Sequence, residues 1–492
     1  MDINQEYSKK KELSVEEVRK NNLDLNDMSI LDSLRLDKKS YNNGLIKFII
    51  GTAIALFVFF WPITINGETD MVFGVIYNSM INLFGNFGLA VITLITVATA
   101  ITSFYGKFIA RPENIIYKYF DGDSKIHPFL YTLGAILTSL YTLNYLVPGF
   151  SAPGIIVGSS TGGTVVPDIL VPVFWIIVVS AFFLPFLLNY GFIDFVGAFF
   201  EPLMRPIWKV PGRSAVNAIA SFVSSSSVGV LITSKLYNEK VYTEKEAVLI
   251  ATGFSAVSIG FAYMVIKTAG LQDQFILVYG SSLLITLIVS AVIARIPPFS
   301  TKKDVYLDGR EQTEEDLKAI RTKKGKRFKT ALDRAVKKAH TSESLLTAMK
   351  ASLIDGLMVV PKVLTLIGSI GISALIIAEV TPVFDILGKI FVPLLNLLRV
   401  PDVAEIAASF PVGIAEMFLP VLLIADKVSS LSIGARYMVT AVSIVQIIFF
   451  AETIVVMMAS RLPLKLWELI VVFLERTFIG IIIAALFMHV LF

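Results

Sequence analysis

The chain has no cysteine, and its three histidines, His127, His340 and His489, stand far apart. Disulfides and thiolate metal centres are excluded, and no metal-ligand cluster is written in the spacing. Charge is scarce as well. Of 492 residues 17% are Asp, Glu, Lys or Arg against 55% hydrophobic, and the formal net charge is only +4. The apolar residues come in long blocks rather than amphipathic stripes, which excludes a soluble globular chain and leaves an all-α polytopic membrane protein. The glycine-rich VGSSTGGTVVPD (157–168) lacks the GK[ST] ending of a phosphate-cradling loop and reads as a flexible external loop. DGDSKIH (121–127) reads as a solvated acidic turn rather than a divalent-cation site. The basic segment 302–338 lacks interleaved aromatics and reads as a solvated linker, not a nucleic-acid surface. With neither a nucleophile–base nor a metal constellation, no enzyme is expected and no cofactor is implied.

What is present is a series of apolar blocks behind a polar start. Residues 1–44 read as a cytoplasmic tail with one or two short helices, with capping character around Ser14–Glu17, rather than a secretory signal. Apolar blocks follow at 45–64, 84–105, 128–147, 168–190, 213–234, 245–268, 274–296, 354–378, 403–425, 433–458 and 467–490. Lysine and arginine decide how many of them span. Loop 65–70 and loop 148–167 carry none, whereas loop 106–127 has Lys107, Arg111, Lys118 and Lys125. If block 213–234 crossed, Lys235, Lys240 and Lys245, and then the fourteen Lys and Arg of 297–350, would fall outside. A block that enters and leaves on one side keeps both basic segments inside and puts loop 269–273 outside.

An internal repeat points the same way. The stretch 192–222 matches 383–410: Asp194 with Asp385, Gly197 with Gly388, Pro202 with Pro393, Val210-Pro211 with Val400-Pro401, and Ala220-Ser221-Phe222 with Ala408-Ser409-Phe410. "AVSI" at 256–259 recurs at 441–444. Each unit reads as a span, an amphipathic interfacial helix, an apolar hairpin and two more spans. Three crossings per unit is odd, so the units are inverted relative to each other. The expectation is about nine transmembrane helices plus two re-entrant hairpins in an inverted repeat. It divides into scaffold helices 45–167, repeat 1 at 168–296, a charged cytoplasmic linker 297–350 and repeat 2 at 351–492.

The hairpin GRSAVNAIASFVSSSSVGVLITSKLY, the helix ATGFSAVSIGFAYMVIKTAG and their second copies resemble the nucleoside-recognition, or Gate-domain, membrane proteins, most closely the YjiH type. A more distant likeness is to concentrative nucleoside transporters, with the same order of interfacial helix, hairpin and broken helix. The resemblance implies a nucleoside-like substrate and cation coupling. The first hairpin departs from the transporters in offering Ser224, Ser225, Ser226 and Ser227 and no carboxylate.

Serine hydroxyls at a hairpin tip satisfy unpaired backbone groups or bind a solute. In the second hairpin Pro411 and Gly413 break the helix and Glu416 follows; an intramembrane acid is rare and usually functional. Thr252, Ser255 and Ser258 share one helical face, and Thr440, Ser443 and Gln446 repeat that spacing. The expected solute site is therefore Ser224–Ser227, Ser255, Ser258, Glu416, Ser443 and Gln446, with Glu416, Glu452 and Thr252 as ion-coupling candidates; Lys267 reads as a snorkelling charge. No nucleotide-binding module is present, so a gradient of H+ or Na+ would drive a secondary transporter for a small polar solute. The alternative is a non-transporting membrane component serving as an assembly or sensing partner. Expected partners are the solute, the lipid bilayer of the plasma membrane, and a second copy or a second Gate-domain protein.

Overall fold

Residues 12–20, 28–65, 68–121, 123–223, 226–254, 257, 259–314, 316–317 and 327–492 are described in the computed structural model. Among them the chain is helical apart from a few bridging residues and one antiparallel ribbon, in which Pro62–Ile65 pairs with Glu68–Met71. The protein is an all-α polytopic membrane protein. By length and composition six helices suffice to cross a bilayer: Lys38–Phe59, Val72–Ile109, Gly154–Leu188, Gln272–Ile293, Leu345–Val380 and Leu466–Leu491.

The other apolar blocks take three forms. Block 128–147 is one helix, His127–Leu146, made less apolar by its threonines and tyrosines. Blocks 245–268 and 433–458 are each broken, into Glu244–Phe254 and Ile259–Thr268, and into Ile433–Gln446 and Thr453–Ala459. Blocks 213–234 and 403–425 fold into shorter helices, Ser214–Val223 with Ser226–Asn238 in the first, and Val403–Ile406, Ser409–Val412 and Leu419–Leu422 in the second.

Two compact units are interleaved along the chain. The first comprises residues up to Gly74, Val179–Ser255 and Ser290–Gly356; the second comprises Val75–Val178, Ala256–Val289 and Leu357–Phe492. In the first, Asp37 caps the helix Lys38–Phe60 by accepting from the Ser40 amide. The tail has helices Val15–Lys20 and Met28–Ser33, and the first opens on a reciprocal Ser14–Glu17 capping box. Arg334 grips Asp32 of the tail with two bonds of 2.7 and 2.6 Å, fastening it to helix Arg327–Thr341.

In the second unit, Lys362 donates to Asp123 Oδ1 and to the Tyr119 carbonyl, both at 2.9 Å, while Tyr131 donates to Asp123 Oδ2 at 2.9 Å. The turn 121–127 therefore contributes its acid to a buried ion pair instead of presenting it to water. The glycine-rich loop departs from expectation too. It is folded, not flexible: the Thr161 hydroxyl donates to the Ile155 carbonyl at 2.8 Å, and a Cβ at Gly162 would lie 2.1 Å from the Ile156 carbonyl. Its glycines serve close backbone approach, which composition alone does not distinguish from looseness.

Candidate functional site

The expected site residues fall into both units. Ser226, Ser227 and Thr252 belong to the first; Glu416, Ser443, Gln446 and Glu452 belong to the second. Ser224, Ser225, Ser255 and Ser258 lie outside the described residues.

In the first unit the amphipathic helix Phe192–Trp208 is the base of the hairpin. Its Glu201 accepts from the Gly212 amide at 2.5 Å, and Arg205 pairs with Glu201 at 3.0 Å and with Glu246 at 2.5 Å. Burial lowers the Arg205 pKa, but the Glu246 and Glu201 carboxylates outweigh it and hold the guanidinium above its ordinary value. Arg213 pairs with Asp194 on the same helix. Gly212 is required at this point, because a Cβ there would lie 2.0 Å from the Gly197 carbonyl. A Cβ at Gly388, the repeat partner of Gly197, would lie 2.8 to 3.0 Å from the backbone of Ala407 and Ala408, as one at Gly197 would lie 2.9 to 3.0 Å from that of Arg213.

The chain that leaves at Gly212, held by Glu201, returns at Glu246 to the arginine that Glu201 pairs with. Between them Asn217 Nδ2 donates to Thr233 Oγ1 at 2.9 Å and Tyr242 donates to Asn217 Oδ1 at 3.3 Å, tying the two arms side by side. Ser226 and Ser227 open the returning arm, both buried. Thr252 spends its hydroxyl on the Val248 carbonyl at 2.7 Å. The linker joins this cluster: Gln312 donates to Glu246 at 3.2 Å and to the Tyr306 hydroxyl at 3.2 Å, and burial raises the Tyr306 pKa to about 12.

The second unit holds the more unusual geometry. Helix Ile433–Gln446 starts at Ser432, whose hydroxyl accepts from the Ala435 amide, and stops at Ile447 with φ of 47°. A buried β-branched residue in the left-handed region is strained, of order 1–3 kcal/mol, and such strain gathers at functional places. The chain then meets the hairpin tip: Phe450 N donates to the Ile414 carbonyl at 2.7 Å and Ala451 N to the Ala415 carbonyl at 3.0 Å. The next residue in each segment is a glutamate, Glu416 and Glu452.

Glu416 Oε2 accepts from the Phe418 and Leu419 amides at 2.6 and 3.1 Å and so caps the helix after it. Ser443 donates to the Met417 carbonyl at 2.5 Å. Gln446 Nε2 donates to the Phe410 carbonyl at 2.7 Å and to Thr477 Oγ1 at 2.9 Å. Arg476, wholly buried, donates through Nε to the Val445 carbonyl at 2.8 Å, a cation at the end of a helix. Lys267 is exposed.

Sequence reading missed Asn217, Tyr242 and Arg476. Asn217 is an amide in an apolar helix, the same signal that singled out Gln446. Arg476 is a charge in mid-span, the signal that singled out Glu416.

The nucleoside recognition (Gate) family matches residues 170–272, which takes in the amphipathic helix, the first hairpin and the broken helix after it. An uncharacterised protein of Alkalihalophilus pseudofirmus is 34% identical over 457 residues, covering 91% of this chain and 95% of its own. The sporulation integral membrane protein YlbJ of Bacillus subtilis is 32% identical over 102 residues, 18% of this chain and 25% of that protein. The chain belongs to the nucleoside-recognition, or Gate-domain, family of integral membrane proteins.

Proposed function

We propose that the protein is a secondary transporter for a small polar solute, nucleoside-like in polarity, driven by a proton or sodium gradient. The observation that carries this reading is the pair of backbone bonds from Phe450 and Ala451 to Ile414 and Ala415 of the second hairpin tip, after which a glutamate follows in each segment, Glu416 and Glu452. Two carboxylates in a low-dielectric setting repel, and a proton or a Na+ between them relieves the repulsion. The same tip packs on the break of helix Ile433–Gln446, so binding the cation and seating the tip are one event. Solute and ion would be coupled through that event, as in transporters whose site lies at broken helices.

Support for two re-entrant hairpins in an inverted repeat comes from the first unit. Gly212 donates to Glu201, and Glu201 and Glu246 both pair with Arg205, so the segment from Gly212 to Glu246 goes out and comes back. On this reading the N-terminal tail and linker 297–350 are cytoplasmic, and the protein sits in the plasma membrane. On the same reading Ser443 and Gln446 of the second unit contact the solute.

A second reading, a non-transporting component that docks a second copy or another Gate-domain protein, is favoured by the linker. It is built into the fold through Gln312 and Glu246, and its helix Arg327–Thr341 presents Phe328, 61% exposed. Thermal unfolding of the purified full chain in sodium chloride against choline chloride, at two pH values and with a nucleoside and amino-acid panel, separates the two. A transporter is stabilised by an ion and a solute together, since ligands that bind only the folded state raise its stability. No ligand-linked shift in any condition would leave the component reading.

A further inference from the structure

The last span, Leu466–Leu491, carries a carboxylate that neither hairpin uses. Glu475 is its tenth residue, about 14 Å of helix from one end and further from the other, so its short side chain reaches neither surface as a lysine or arginine would. Its Oε2 is buried without a hydrogen-bond partner, and no ion pair among the described residues includes Glu475. Neighbours on the same helical face are hydrocarbon. Val471 and Ile479, one turn to either side, are half-buried, and Ile482 and Leu486 beyond them are 42% and 61% exposed. Phe478 completes the strip with its ring against Phe391, 4.9 Å between centroids.

The charged and titratable groups around it are engaged elsewhere. On its own helix Glu468 accepts from the Lys465 amide, Arg476 is wholly buried with Nε on the Val445 carbonyl, and His489 meets the Leu398 carbonyl. Two helices pack on this span. Ile433–Gln446 has Arg436, which donates to the Ala269 and Gly270 carbonyls, and Tyr437, which donates to Ser281. Thr453–Ala459 carries no charge and follows Glu452, itself an acid. Lys389, two residues from Phe391, is exposed. An ionised carboxylate without a hydrogen bond in hydrocarbon is strongly disfavoured, whereas the protonated acid is neutral and costs far less.

We infer that Glu475 is a proton-binding carboxyl of the membrane interior, distinct from Glu416 and Glu452 and lying on the outer, apolar strip of the last span. Its ligand is H+, and the inference stands whether or not the chain transports a solute. The place gives that proton something to act on. Arg476 and Thr477, the next two residues, hold the Val445 carbonyl and the Gln446 amide at the end of the broken helix. Charge that appears or disappears on Glu475 changes the field beside the residues that grip this break.

The test is carbodiimide modification of the purified full-length protein in lipid nanodiscs, read by peptide mass spectrometry. A carbodiimide adds to a protonated carboxyl, so an adduct reports a bound proton. Dicyclohexylcarbodiimide, which enters lipid, should modify Glu475 in mildly acidic buffer, and the yield should fall about tenfold or more in alkaline buffer as the proton is lost. A water-soluble carbodiimide should leave Glu475 unmodified. Glu416→Gln, shown to be folded by an unchanged elution profile, should keep the Glu475 adduct. Absence of that adduct at every pH, or an equal yield from the water-soluble reagent, would mark a paired or water-exposed acid and overturn the inference. A yield that ignores pH would also overturn it, as would loss of the Glu475 adduct in folded Glu416→Gln.

Discussion

The amide of Ala451 donates to the carbonyl of Ala415 at 3.0 Å, one step after Phe450 has donated to Ile414. Two segments that are separate apolar blocks in sequence, a hairpin tip and a helix break, are thereby joined backbone to backbone, and Glu416 and Glu452 come next in each.

From this pairing the first prediction follows. Glu416→Gln is expected to leave the protein folded and in the membrane, because an amide oxygen can still accept from Phe418 and Leu419. It should abolish the dependence of solute binding on pH or on sodium. Glu452→Gln should weaken that dependence, having removed one of two charges. The check is the same titration in choline and in sodium at two pH values. Full ion dependence in both folded variants would remove the acid pair from the mechanism.

That the chain is an all-α membrane protein was legible because the signal is one-dimensional, the length of its apolar blocks. About nine spans were expected from those blocks; among the described residues six helices are long and apolar enough to cross. What was not legible is which polar groups meet. Glu416 and Glu452 are 36 positions apart, and only the left-handed turn at Ile447 brings the chain after it onto the tip; no propensity scale places an isoleucine there. Asp194 and Asp385 show the opposite limit. They align in the repeat, yet Asp194 is buried against Arg213 whereas Asp385 is exposed, since the second copy has no arginine at the matching entry to its hairpin. Backbone relationships carried over between copies, as Gly197 and Gly388 do, while side-chain partnerships did not.

The second prediction concerns the base of the first hairpin. Glu246 is 2% exposed at its side chain and neutralises Arg205, which is 15% exposed. Removing one partner of a buried pair strands the other charge and typically costs about 3–5 kcal/mol. Glu246→Ala should therefore unfold at much lower temperature in detergent. It also removes the oxygens that bind Gln312 and the Thr243 amide. An Arg205→Met, Glu246→Met double variant should be less destabilised than either single one. Additive losses in that double-mutant cycle would show that the pair is not coupled.

The third prediction separates glycines that permit contact from glycines that do not. A Cβ at Gly212 would fall 2.0 Å from the Gly197 carbonyl and 2.3 Å from the Glu201 amide nitrogen, both backbone atoms that cannot swing away. Gly212→Ala should cost about 1–3 kcal/mol, the range for forced overpacking, and should lower expression. At Gly280, in helix Phe275–Ile293, nothing lies within 4 Å of the added carbon. Gly280→Ala should be neutral or slightly stabilising, alanine being the better helix former. Equal melting temperatures for the two variants would contradict the packing at the hairpin entrance.

The last prediction concerns sidedness. Because the arms of the first hairpin are joined by Asn217 and Thr233, and because Glu201, which holds its entrance at Gly212, and Glu246 of the following helix both pair with Arg205, the segment between them is expected to begin and end on one side. Asn238 lies at the end of the returning arm and is exposed; Lys329 is exposed on the linker helix; Gln272 is exposed in the loop between Ile259–Thr268 and Phe275–Ile293. The chain contains no cysteine, so single substitutions label against a clean background. Asn238→Cys and Lys329→Cys should react with an impermeant maleimide only from the cytoplasmic face, and Gln272→Cys only from outside. The lysine-rich segments fix which face is which. If Asn238→Cys and Lys329→Cys were both labelled from outside, the first hairpin would cross the membrane. Repeat 1 would then have an even number of crossings, and the inverted-repeat reading would fall.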